Sequence, residues 1–150
     1  MADSGGPGKF RGGLALVRRY RFLEESGTFQ IRSDRSRFGA YGLAGGGPGR
    51  LSRNVLNPGP HEQVLPPKTT LHVSHGDELL HELAGAGGWG DPLERDPQAV
   101  VADVANDKVT RQHARVAYGV VLDTSGTRVD EAETTRLRDQ LRRPADVGGT

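Results

Sequence analysis

Glycine sets the first limit on what this chain can build. Of 150 residues, 22 are glycine, and five of them stand in GGPGKFRGG at residues 5–13 (Gly5, Gly6, Gly8, Gly12 and Gly13). Counting glycine, the apolar share comes near the ~45–50% usual for a soluble domain, yet about a third of it has no side chain to bury. The chain is poor in core material and rich in positions suited to positive φ or close backbone approach. It reads less as a self-sufficient globule than as a piece that packs on something else, within one domain by length.

A glycine-rich stretch with a lysine raises the possibility of a phosphate cradle. The Walker pattern G-x-x-x-x-G-K-[ST] fails here, because Asp3 stands at the first glycine and Phe10 replaces the hydroxyl that would meet Mg²⁺. The segment that follows, LALVRRYRFLEE, is rich in β-formers, so no helix N-terminus points at the loop. GAGGWG at residues 85–90 matches G-x-G-x-x-G literally, with Gly85, Gly87 and Gly90 in place. Asp91-Pro92 follows instead of a helix within a βαβ unit, which argues for a tight loop of Gly87, Gly88 and Gly90 holding Trp89 as an interface anchor.

Zero cysteines exclude a disulfide framework, a thiol nucleophile and Cys-based metal sites. MADSGG lacks the features of a signal peptide and no run approaches a membrane span, so the expectation is a cytoplasmic protein without a membrane partner. Net charge +1 hides an asymmetry: residues 1–60 carry ten Lys/Arg against four Asp/Glu, and residues 61–150 carry ten against fifteen. The arginines are spread along strands without a reader motif, which argues for solvated faces and contacts to the acidic half rather than nucleic-acid binding.

The expected fold class is α+β, with glycine-rich, mostly antiparallel β hairpins and loops in the first two thirds and short helices in the last third. Residues 14–24 and 28–34 read as strands around ESGT, and TTLHVSHGDELLHELA as a second pair broken at His75-Gly76-Asp77. Residues 39–70 form a long Gly/Pro-rich irregular stretch of the kind that binds partners or stays flexible. Asp96 with Pro97 starts a helix to about Asn106, and Thr110 caps another to about Ala117. YGVVLD follows as a strand, Asp130 with Glu133 opens a last helix, and residues 144–150 are expected to be a disordered tail.

Metal chemistry has weak support. In an extended segment His75 and Asp77 share a face, and two ligands fall short of the three usual at a catalytic zinc. No arrangement of Ser, His and Asp, or of paired carboxylates, is distinctive.

In order, SGGPGKFRGGLALVRRYRFL, GLAGGGPG, LPPK, GDEL, GGWGDPLERDP, VVADV, ARVAYGVVLD and VDEAETTRLR resemble the C-terminal part of the hydantoinase B/oxoprolinase (N-methylhydantoinase B-like) family. The resemblance runs from about Ser4 to Leu141, departs from the usual pattern at Ala84 and Ala86, and makes residues 1–143 the C-terminal region of such a subunit. It implies a fragment or split component of an ATP-dependent cyclic-amide hydrolase of the 5-oxoprolinase type. Its partners would be a hydantoinase A-like subunit, which activates the lactam oxygen with phosphate, and the missing hydantoinase B portion.

ATP and a divalent metal are expected in the complete assembly and not on this chain alone, since the family's metal ligands lie upstream. The chain alone is expected to be inactive. Related assemblies carboxylate ketones, and a non-catalytic assembly module is the other alternative. Motif position and chemistry nominate Lys9, Arg11, Asp91 and Arg95 as anion or substrate contacts.

Overall fold

A computed structural model describes residues 1–143; the expected tail at 144–150 lies outside the described residues. Six strands come first: β1 (Val17–Arg21), β2 (Ser26–Arg32), β3 (Arg53–Leu56), β4 (Gln63–Leu65), β5 (Lys68–Ser74) and β6 (Glu78–Glu82). A 3-10 turn at Pro92–Glu94 leads to three helices, α1 (Pro97–Ala105), α2 (Arg111–Tyr118) and α3 (Glu131–Arg142). This is the α+β arrangement, with antiparallel sheets first and short helices last.

The strand pairs exchange partners relative to the sequence reading. β1 does not pair with β2, nor β5 with β6; instead β1 pairs with β6 and β2 with β5, both antiparallel. The sheets therefore have the orders β1-β6-β3-β4 and β2-β5, and residues 22–25 and 75–77 carry the chain from one sheet to the other; the expected ESGT turn instead runs into β2, where Gly27 pairs with Val73. The physical reason is burial between sheets. Ile31, Leu65 and Leu79 form a core joined by Phe22, Phe29, Leu56 and Leu71, with Phe22 and Phe29 edge-on at 5.4 Å. A two-stranded hairpin alone is marginal in water, whereas two sheets sharing one apolar layer are not. The stretch expected to be irregular, residues 39–70, supplies β3 and β4, while YGVVLD contributes only the isolated bridge Leu122–Val129.

At the end where Val17, Arg53 and Glu82 meet, β1, β3 and β6 continue into glycine-rich segments. Gly47 N–H donates to Pro7 O (2.7 Å) and Arg50 N–H to Ser4 O (2.9 Å). Gly88 and Gly85 donate to Gly47 O and Arg50 O, and Gly46 and Gly49 to Leu43 O and Ala40 O. Each pair of bonds steps three residues along both partners. A β ladder steps by two; a step of three is the period of a polyproline II helix, which packs closely only where glycine faces the neighbour. A Cβ on Gly85 would lie 1.7 Å from Ser4 O, and one on Gly12 would lie 2.1 Å from Ala86 O. Gly5, Gly6, Gly8, Gly12, Gly85, Gly87 and Gly88 all lie outside the left-handed φ region; Gly90, at +76°, is the exception. Close approach, rather than positive φ, is what most of these glycines provide.

The helices have their own core of Val100, Val109, Ala114, Tyr118 and Val120. The caps follow the sequence signals: Asp96 accepts from Gln98 N, Thr110 Oγ1 from His113 N and Asp130 from Glu133 N. Gly119, at φ +60°, ends α2. The glycine bundle is thus fixed to a sheet on one side and to a helical layer on the other.

Candidate functional site

Where the first glycine segment passes the third, Phe10 and Trp89 exchange backbone hydrogen bonds (2.9 and 3.0 Å) and their rings lie 5.6 Å apart, tilted by 49°. Leu43 bridges Trp89 from the other side. Phe10, Leu43 and Trp89 are 61%, 58% and 50% exposed, so the bundle presents a contiguous apolar surface rather than burying it. A Cβ on Gly8 would stand 2.7 Å from Trp89 N, which shows why the segment beneath the tryptophan is glycine. Such a patch on a rigid frame is the usual form of a contact surface.

Beside this surface the four nominated residues come together at one junction, each with an internal partner. Arg11 holds Asp103 through both Nε (3.0 Å) and Nη2 (3.3 Å), and Arg95 Nη2 reaches the same carboxylate at 2.8 Å. Arg95 also donates to Lys9 O (3.0 Å) and lies 6.0 Å from the centre of the Tyr118 ring. Asp91 caps the 3-10 turn by accepting from Leu93 N. Lys9 Nζ meets Glu94 at 3.2 Å with both side chains about half exposed.

These partners differ in strength. The Arg11–Asp103–Arg95 triad is largely buried, and breaking such a cluster by removing one member leaves a charge uncompensated. The exposed Lys9–Glu94 pair is worth no more than about 1 kcal/mol, so Lys9 is the nominated cation most readily transferred to an incoming anion.

Burial pushes the Asp103 carboxyl up, but the hydrogen bonds and charges of Arg11 and Arg95 together hold it below the ordinary aspartate range. Burial pushes Tyr118 up to about 12. Its hydroxyl, like Arg95 Nε, has no hydrogen-bond partner among the described residues. Arg138, from α3, donates to Tyr118 O (3.1 Å) and Arg95 O (2.7 Å) and closes the junction.

Sequence reasoning missed Asp103, Tyr118 and Arg138. Asp103 carried a signal: it lies three residues after Val100 and one before Val104, on the buried side of α1, where an acid requires a cation. Arg138 carried none, because its partners are main-chain carbonyls far along the chain.

The two weak metal candidates are engaged in the turn between β5 and β6. His75 Nδ1 lies 2.8 Å from Leu23 O, while Asp77 accepts from Ser74 N and Asn57 Nδ2. The backbone bond from Ser74 is the main reason that Asp77 is held below its usual range, followed by Asn57. Among the described residues no group of three or more His, Asp or Glu side chains is placed to hold a metal ion. No helix among them is long and apolar enough to cross a membrane.

Comparison with known proteins places this architecture. The model of the family described as hydantoinase B/oxoprolinase matches residues 1–92. A protein named as the B component of a D-/L-hydantoinase, from a Pseudomonas species, is 34% identical over 137 residues, covering 88% of this chain and 22% of that protein. The crystal structure of ATP-dependent caprolactamase from Pseudomonas jessenii matches with a TM-score of 0.76 at 33% identity, over 93% of this chain and 25% of that one. Nucleotide-free acetone carboxylase matches with a TM-score of 0.75 at 28% identity, over 94% and 24%. The chain spans about a quarter of the length of the curated relatives it matches. With its glycine segments and Trp89 surface inside the matched region, the chain belongs to the hydantoinase B/oxoprolinase family.

Proposed function

We propose that this chain is one component of an ATP-dependent enzyme that opens cyclic amides of the 5-oxoproline or hydantoin type. It would work with an A-type subunit and with the remaining portion of a B-type subunit. The observation that carries this reading is the match of nearly the whole chain, at 33% identity, to a quarter of a solved ATP-dependent caprolactamase. ATP and a divalent metal belong to the partners in this reading, because the glycine segments here are spent on one another and not on a phosphate.

The chain's own part is to pack and to present. The glycine bundle gives a stiff frame, Phe10, Leu43 and Trp89 anchor the contact, and Lys9 stands beside them with only a surface partner. Arg11 and Arg95 act behind Lys9: gathered on Asp103, they leave the junction with one excess positive charge, which favours an anionic group at its rim. Asp91 holds the turn that carries Glu94 and Arg95.

Add-back tests the reading. The purified chain should show no ATP-dependent opening of 5-oxoproline or hydantoin, and activity should appear when the rest of the B-type subunit and the A-type subunit are supplied. Lys9→Ala should leave the fold intact and lower turnover in that assembly by about tenfold, the scale of one charge-assisted contact. Full turnover without this chain would contradict the proposal; unchanged turnover with Lys9→Ala would reduce the chain to a packing module.

A second reading has one specific observation behind it, the TM-score of 0.75 to acetone carboxylase. The same assembly offered acetone, bicarbonate and ATP separates the two: carboxylation without lactam opening would select the carboxylase.

A further inference from the structure

β1 is an edge strand, and all five of its residues are exposed. Leu83 N–H donates to Leu16 O and Phe22 N–H to Asp77 O, each at 2.9 Å. Residues 16, 18, 20 and 22 therefore direct their main-chain groups at β6, and the alternation of an antiparallel ladder turns those of Val17, Arg19 and Arg21 outward. Exposed edges of soluble proteins are normally blunted by charge. Here Arg19 and Arg21 both converge on Glu78 of the neighbouring strand, which draws their charges to the β6 side. Leu16, Val17, Tyr20 and Leu23 line the edge at 60%, 49%, 44% and 72% exposure.

Next to this edge a cavity of about 340 Å³ is lined by Arg18, Tyr20, Phe29, Ile31, Arg32 and His81 among others. Among the described residues no carboxylate lines it, so Arg18 and Arg32 border a hollow of mixed polar and apolar lining, with Gln30 and Asn54 also on its wall, that offers them no acidic partner.

We propose that β1 takes an added antiparallel or parallel strand from the remaining B-type polypeptide, and that this strand is acidic and apolar in alternation, with a carboxylate entering the Arg18–Arg32 cavity. The occupant follows from length and charge. The curated relatives are about four times as long as the region matched, so most of such a subunit lies outside these 150 residues. Main-chain bonds to a free edge supply affinity, while side chains entering alternate pockets supply specificity. The inference rests on the proposed function, in that it takes the rest of a B-type subunit as the partner.

The experiment assembles the full 150-residue chain with the remaining B-type polypeptide of the same cell and follows amide hydrogen exchange at Val17, Arg19 and Arg21. These amides should exchange freely in the isolated chain and roughly a hundredfold more slowly in the complex. Arg19→Pro removes one outward N–H and should weaken assembly roughly tenfold, whereas Arg19→Ala, which removes only the exposed ion pair, should change it less than about threefold. Arg18→Glu should weaken assembly as well. Assembly with the three amides still unprotected would overturn this inference and leave the proposed function standing. Failure of the wild-type chain to assemble at all would overturn both.

Discussion

A methyl group added at Gly85 and one added at Gly13 meet opposite surroundings. At Gly85 the new carbon would lie 1.7 Å from Ser4 O and 2.6 Å from Ser4 C, both backbone atoms held by the bundle's own hydrogen bonds. At Gly13 the nearest atom is Ala86 Cβ at 3.8 Å, an ordinary contact. Gly85→Ala should therefore destabilise the chain by about 3 kcal/mol or prevent folding, while Gly13→Ala should stay within about 0.5 kcal/mol. Urea unfolding of the two variants measures the contrast.

Asp103 ties stability to pH. Its folded-state pKa is held down by Arg11 and Arg95 against the effect of burial. The resulting stabilisation is fully present above the ordinary aspartate range and is lost as pH falls below it. Asp103→Asn should cost about 3–5 kcal/mol at pH 7, because two buried guanidinium groups lose their partner. Denaturation followed from pH 7 down to about pH 2 should show a constant difference between wild type and variant down to about pH 4 and a narrowing below it, as first the unfolded chain and then folded Asp103 takes up a proton. A constant difference across that range would remove the charge from the explanation.

The first residues of the chain tie down a helix far along it. Asp3 accepts from Thr110 N at 2.7 Å and Thr110 Oγ1 at 2.8 Å, while Thr110 Oγ1 caps α2 by accepting from His113 N. Asp3→Ala should destabilise by about 1 kcal/mol, and Thr110→Ala by about 1–2 kcal/mol since it removes the cap as well. Hydrogen exchange in the first turn of α2 should speed up in both. The caps at Asp96, Thr110 and Asp130 were legible in the sequence because a cap is a local event, written within three residues.

Strand pairing was not legible in the same way. The turn signal at Gly76 marks a real break between β5 and β6, whereas Gly27 lies within β2 opposite Val73; the partner of each strand is chosen by the apolar layer of Ile31, Leu65 and Leu79, which comes from three distant segments. Nor did the two-residue and 3.6-residue periods detect the bundle. Its sequence trace is glycine at three-residue spacing, as in Gly5 and Gly8, Gly39 and Gly42, Gly46 and Gly49, and Gly85 and Gly88. That spacing is a period of its own.

The glycine bundle links two small cores, one between sheets and one among helices, and leaves Phe10, Leu43 and Trp89 on its surface. A rigid frame with few side chains buries little apolar area for itself, and in the proposed function burial in a larger assembly would account for both its composition and its exposed face. Glycines around Trp89 singled it out in the sequence; its neighbours Phe10 and Leu43 emerged only once three distant segments were brought together.

In the proposed function this face is where the chain joins its assembly, and Trp89 reports on it as the one tryptophan among 150 residues. With Trp89 replaced by 5-fluorotryptophan, the chain gives a single ¹⁹F resonance, broadened in the free state by a soluble paramagnetic agent. On adding the remaining B-type polypeptide and the A-type subunit, the resonance should shift and lose that broadening as the ring is covered. A resonance that stays put and stays accessible, in a complex shown by its mass to contain this chain, would contradict a joining role for the Trp89 face.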